Sequence, residues 1–223
     1  DGVSNGSGTI TLNSSIPAQE FTIGTLNTTA TANRFDGTLD NLVVWDGEMT
    51  ATEVSSYSGC LPLASNTDVI GKWSFEEQAG TTTADSAGTA SGTLSSSTLW
   101  SNDTSTIVCT NTSNPNAGPA IEMDGTNDYI SMGTDSDLAV STAQGRSFLL
   151  DFKADSYGGT LVSRYVNFNT SSSSFYIGIN SSGKVVVAGK GTNDIQSTNA
   201  VVLNQWQRLA VTVSASGQAK IYI

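Results

Sequence analysis

Apolar and polar positions alternate with a period of two through much of the second half of the chain. Phe148, Leu150 and Phe152 fall on one side of such a segment, and residues 160–166 are again strand-like. Phe175, Ile177 and Ile179 alternate, and Ser181-Ser182-Gly183 then separates them from a second apolar run at 184–188, the pattern of a hairpin. Leu209, Val211 and Val213 alternate against Arg208, Ala210 and Thr212. Asp, Gly, Asn and Ser fill the intervals, as turns require. One helix breaks the pattern. Thr50 is followed three residues later by Glu53, a capping box, with Ala51, Val54 and Tyr57 on one face and Gly59 as the stop. It is expected as a short surface helix on the edge of a sandwich. Stretches 78–98 and 101–119 are rich in Gly, Ala, Ser, Thr and Pro and read as long loops. The spacing is that of an all-β, two-sheet antiparallel sandwich, and no βαβ alternation is present.

Length suits this class, since 223 residues are ordinary for one β-sandwich. Charged residues are only 13% of the chain, and the net charge is −11. That balance excludes a nucleic-acid footprint and an anionic membrane surface, both of which want a basic face. No apolar run approaches the length of a membrane span. Asp1-Gly2-Val3-Ser4 has neither a basic nor a hydrophobic stretch, so no signal peptide is read in this segment.

Histidine is absent altogether. No Ser-His-Asp or Cys-His arrangement can form, and no His-based zinc site. Cys60 and Cys109 are an even pair in a lysine-poor, hydroxyl-rich chain, a composition with extracellular, cell-surface or virion-surface character. Two readings stay open for them: a structural disulfide, or two buried thiols. Seven Asn-x-Ser/Thr sequons matter only in a host that glycosylates asparagine.

Several segments in combination resemble the laminin G-like branch of the concanavalin A-like lectin and glucanase jelly rolls. Trp73-Ser74-Phe75-Glu76-Glu77, with Gly80 and Ala84-Asp85-Ser86-Ala87-Gly88, looks like the family's opening strand and loop. The run from Ile121 through Asp124-Gly125-Thr126-Asn127-Asp128 to Ile130 resembles its next hairpin. Gly159 to Ser163 and Leu203 to Val213 look like central strands. Phe35-Asp36-Gly37-Thr38-Leu39-Asp40-Asn41-Leu42-Val43-Val44-Trp45, with the helix after it, is similar to the closing strand and helix.

The order is circularly shifted. Residues 1–59 carry the closing strands and helix, and 60–223 the opening and central strands of the same or a following module. Joining Tyr222-Ile223 to Asp1-Gly2 gives a strand running into a tight turn. Three arrangements compete: one repeat of a tandem array, a circular permutant, and fragments of unrelated neighbours. The array leads. It expects the two ends of one chain to lie a domain diameter apart, with Asp1, Gly2, Ile221, Tyr222 and Ile223 as the assembly points.

The resemblance implies a structural calcium held by Asp40, Asp85 and Glu76, since oxygen ligands in a loop suit that ion; the bland alternative is that both aspartates cap turns. Asp124 to Asp128 resembles the start of an EF-hand, but lacks the glutamate at the twelfth position and reads as a turn. A glucanase needs paired carboxylates on one strand face, and the strand at 147–153 carries only Asp151. No enzyme is expected. Glycan binding would use exposed rings beside polar groups, with Trp100, Tyr157 and Tyr165 as loop-borne candidates, Phe168 as a further one, and Arg164 and Asn167 beside them. Trp73, Trp206 and Phe148 are expected in the core. The leading expectation is a non-enzymatic extracellular structural module, a repeat of a fibre, surface layer or virion appendage that binds copies of itself end to end. The alternative is a calcium-dependent lectin-like or adhesion module that binds glycans or surface proteins.

Overall fold

The computed structural model describes residues 2–12, 19–60, 67–96, 99–107, 118–165, 175–191 and 193–223. Residues 1–59 supply β1 (Gly6–Thr9), β2 (Phe21–Ile23), β3 (Asp36–Asp46) and the helix α1 (Ala51–Ser58). After them come β4 (Val69–Trp73), β5 (Thr82–Thr83), β6 (Gly92–Leu94), β7 (Trp100–Ser101), β8 (Ala120–Asp124) and β9 (Ile130–Ser131). The long strands follow: β10 (Arg146–Ala154), β11 (Thr160–Arg164), β12 (Phe175–Ile179), β13 (Lys184–Ala188), β14 (Asp194–Ala200), β15 (Gln207–Val213) and β16 (Gln218–Tyr222).

They form two eight-stranded antiparallel sheets. The first runs β1-β16-β15-β10-β3-β8-β7, with β4 also paired to β3. The second runs β14-β13-β12-β11-β2-β9-β6-β5. This is the two-sheet sandwich that the alternation predicts, in the jelly-roll form that the resemblance implies. Phe148, Leu150 and Phe152 turn into the core between the sheets with Ile177, Ile179, Leu209, Val211 and Val213. Because strand side chains alternate, Leu149 and Ala210 point the other way and pack with Val54 and Tyr57 of α1. The helix therefore lies on the outer face of the first sheet, over its central strands, and not on the edge as its sequence suggests. Its capping box is present: Glu53 N donates to Thr50 Oγ1, and Thr50 N donates to the Glu53 carboxylate.

Two other expectations are corrected. Stretch 78–98 is not wholly loop, because β6 and the edge strand β5 are short strands at one end of the second sheet. Two- and three-residue strands of Gly and Thr are too brief for alternation to register. The segment around Ile121 to Ile130 is not a paired hairpin either, since β8 belongs to the first sheet and β9 to the second. The turn between them carries the chain across the sandwich.

Residues 1–59 contribute strands to both sheets. β3 is central in the first, flanked by β10 on one side and by β8 and β4 on the other. β2 is internal in the second, between β11 and β9. β1 pairs with β16 of its own chain, from Gly6 opposite Ile221 to Thr9 opposite Gln218. Asn5 N donates to Ile221 O at 2.6 Å, and Thr198 N on β14 donates to Asn5 O at 2.5 Å. The strand thus sits where both sheets meet, and its glycines make that possible: a Cβ on Gly6 would lie 2.4 Å from Gln196 O. In this single chain the first strand pairs with β16 of the same chain. Residues 2–5 run alongside the end of β16, with Asn5 N bonded to Ile221 O. Asp1 lies outside the described residues.

Candidate functional site

Asp40, Asp151 and Arg208 occupy neighbouring strands on the outer face of the first sheet. Asp40 is opposite Asp151 in the β3–β10 ladder, and Asp151 is opposite Arg208 in the β10–β15 ladder. Arg208 grips Asp151 with both arms of its fork, Nε to Oδ1 at 2.7 Å and Nη2 to Oδ2 at 2.8 Å. The same guanidinium lies over the Tyr57 ring, 4.7 Å from its centroid, and donates to the Tyr57 carbonyl and to Cys60 Sγ. The end of α1 is tied to the sheet through this one side chain.

Asp40 has no such partner. Its side chain is at 0% exposure and meets no side-chain donor, with only the neighbouring Asn41 amide close enough to favour its charge. Burial first, then the Asp151 charge, pushes its pKa up to about 9, with Glu76 adding to the rise. A bulge places it there, since the β3–β10 register shifts between Leu149 and Asp151 and Asn41 adopts φ 52°. Two acids share one guanidinium, and an ionised carboxylate buried without a partner is costly. Glu76 is the other acid whose field reaches Asp40, and burial and Glu77 hold its own pKa above the ordinary range. Phe75, just before it, is buried with φ 56°, a strained conformation for a bulky residue.

Asp85 is not brought into this group. Its Oδ1 accepts from Lys72 N, Ala87 N and Gly88 N at 2.8–3.0 Å, and its Oδ2 accepts from Ala90 N at 3.2 Å. Four donors fill the acceptor positions of a carboxylate. Asp85 fixes the loop after β5 onto β4, which is the turn-cap role. Among the described residues no group of three or more acidic or cysteine side chains is placed to hold a metal. The turn at Asp124 is a turn, with Asp124 Oδ1 accepting from Thr126 N at 2.8 Å.

The candidate platform residues scatter. Trp100 packs against the core from β7 in the first sheet, its Nε1 donating to Gly80 O at 2.8 Å. Arg164 is not in a loop: it lies in β11 at 4% exposure, with its guanidinium donating to the carbonyls of Asp135 and Thr134. Tyr165 is half-buried, and Tyr157 is exposed at 45%. Phe168 and Asn167 lie outside the described residues. Cys60 is not a free thiol, and Cys109, the expected partner, lies outside the described residues.

Sequence reasoning missed Tyr176. Ile177 and Ile179 face the core, so Tyr176 and Gly178 face outward from the second sheet. Beside them is a cleft of about 330 Å³ lined by Asn33, Gly158, Thr160, Tyr176, Asn180 and Ser181, with Leu26, Ile179 and Val186 as its apolar wall. The signal was available in the alternation of β12, whose outward positions are an aromatic and a glycine.

Residues 124–223 match the model of a family described as the Concanavalin A-like lectin/glucanases superfamily. The matched stretch runs from the end of β8 through β16, and it supports the superfamily likeness over that part of the chain. No curated protein and no solved structure matches the chain. Among the described residues no helix is long and apolar enough to cross a membrane.

Proposed function

We propose that the chain is a non-enzymatic recognition module of the lectin or adhesion type, closed within one polypeptide and stabilised by a calcium ion at Asp40. The unpartnered carboxylate carries this reading. Asp40 would hold the ion with Glu76 as the second acid, and the ion would supply the positive charge that Asp151 already has from Arg208. Asp85 is left to its loop. An extracellular setting, where calcium is abundant, accords with the charge-poor composition. Titration calorimetry of calcium into chelator-stripped protein tests the site. One binding event is expected, lost in Asp40→Asn and not reproduced by magnesium. No heat from calcium, in protein shown to be metal-free, contradicts it.

A second reading keeps the end-to-end module, and the β1–β16 register favours it. With Gly6 opposite Ile221, a peptide bond from Ile223 to Asp1 would close a hairpin centred on Gly2, whose φ of 71° suits a tight turn. The same contact could then form within one chain or between successive copies. Glycan or protein ligands, and attachment to a cell or virion surface, belong to either reading.

A further inference from the structure

We propose that Asn5–Gly6 is a self-modifying site. In the folded chain the Gly6 amide closes on the Asn5 carboxamide, ammonia leaves, and the isoaspartate that follows releases the N-terminal strand from the second sheet.

The seam between the sheets places this pair. Asn5–Gly6 is the only Asn-Gly dipeptide in the sequence. It lies where β1, at one end of the first sheet, meets β14, at one end of the second. A Cβ on Gly6 would lie 2.4 Å from Gln196 O, so a larger residue would push β14 away. Asn5 ties both sheets at once. Its N donates to Ile221 O at 2.6 Å, its carbonyl accepts from Thr198 N at 2.5 Å, and its Oδ1 accepts from Asn199 N at 2.9 Å. Packing thus selects glycine after an asparagine that the hydrogen bonds select. Glycine in that position offers an amide nitrogen that no Cβ shields, on a backbone free to turn toward the side chain.

The surroundings supply the parts of the reaction. Asn5 stands in the bend just before β1. The Asn199 N–H polarises the Asn5 carboxamide and stabilises the negative charge that grows on Oδ1 when its carbon is attacked. Ser4 is exposed, and its Oγ accepts from Gly6 N at 3.4 Å and donates to Gly6 O at 2.9 Å. That hydroxyl gives the amide proton a route to water. Gly6 N attacks Asn5 Cγ, and the new N–C bond closes a succinimide. The Cγ–Nδ2 bond breaks, and Nδ2 takes up protons and leaves as ammonia. Water then opens the ring. Cleavage of the Cγ–N bond gives aspartate, and cleavage of the bond between the Asn5 main-chain carbonyl carbon and Gly6 N gives isoaspartate. Water enters and ammonia leaves, with no oxidant or cofactor.

Isoaspartate breaks the latch. The main chain then runs through the side-chain methylene, and the carbonyl that held Thr198 N becomes a free carboxylate off the chain. Residues 2–4 shift along β16 relative to β1, so the ties to Ile221, Thr198 and Asn199 no longer fit together. The step is one-way, and it loosens the seam as the chain ages.

The test incubates the full chain, folded and in urea, at mildly alkaline pH. Peptide mapping with enzymatic detection of isoaspartate follows every asparagine. In the folded chain Asn5 is expected to convert first, with isoaspartate as a product, and Asn5→Gln to remove the reaction. Asn199→Pro deletes the polarising N–H and should slow conversion by about tenfold or more; thermal melts confirm that each variant folds. In the converted chain the Thr198 amide should lose its protection from hydrogen exchange. An Asn5 that stays intact in the folded chain while it converts in urea overturns the site. Conversion at an undiminished rate in folded Asn199→Pro overturns the polarising role. Conversion that leaves the Thr198 amide protected overturns the release of the strand.

Discussion

Asp40 stands opposite Asp151 across β3 and β10, and only Asp151 has a guanidinium to meet it. Side by side on one buried sheet face, the two acids have opposite fates. Asp151 is neutralised by a bidentate ion pair, and Asp40, without one, has its pKa raised by burial and by the Asp151 charge.

Arg208 holds several parts together, and its loss exposes that. Arg208→Ala leaves Asp151 at 0% exposure without a counter-charge and detaches the end of α1. Breaking a buried pair by removing one partner costs about 3–5 kcal/mol. Urea denaturation should show a loss of that size. Arg208→Lys should recover only part of it, because one ammonium cannot match the two-pronged contact.

Metal-free protein should lose stability as pH rises. The Asp40 pKa is raised from the ordinary 3.8 to about 9 in the folded chain, so the folded state binds the extra proton between those values. Its contribution is fully present below about pH 4 and is lost as pH rises through about 9. Melting temperatures in chelator across this window should fall with pH more steeply for wild type than for Asp40→Asn. Parallel curves would show that Asp40 is not the titrating group.

A Cys60–Cys109 bond is proposed on composition and on the engagement of Cys60. The loop closed would be about fifty residues, worth about 4 kcal/mol in the simplest chain-entropy treatment. Non-reducing peptide mapping should recover the two cysteine peptides linked. Recovery of both alkylated ends the idea.

Much of the fold was legible because its long strands bury one face. β10, β12 and β15 each alternate over five or more residues, β13 is an apolar run set off by a turn, and the α1 cap is written in Thr50 and Glu53. β5, β6 and β9 were not legible, being two or three residues long with pairing set by distant strands. Asp40 was visible as an acid in a closing strand. Its isolation was not, because it depends on a bulge at Asn41 and on Arg208 choosing Asp151. Asp85 looked like a ligand for the same reason that it is a cap: an aspartate in a glycine-rich loop serves either role. Tyr176 was not legible as a site residue because it stands in a strand between Phe175 and Ile177, where an aromatic reads as core, and it lines the cleft from there.

Permuting the chain tests the register at its ends. A polypeptide running 60–223 and then 1–59 should fold to the same sandwich, since the new junction falls where β16 and β1 are already antiparallel neighbours. Its circular dichroism and melting temperature should approach those of the original. A permuted chain that fails to fold would show that the register does not suit a hairpin there.

The most direct test of a self-contained module is amide hydrogen exchange on the chain at a concentration where its mass has been measured. The account predicts a monomer in which the Asn5 amide, bonded to Ile221 O, is protected as β16 is. A chain that exchanges freely at Asn5 as a monomer, and gains protection there only in assemblies of several copies, would contradict closure within one polypeptide and restore the array.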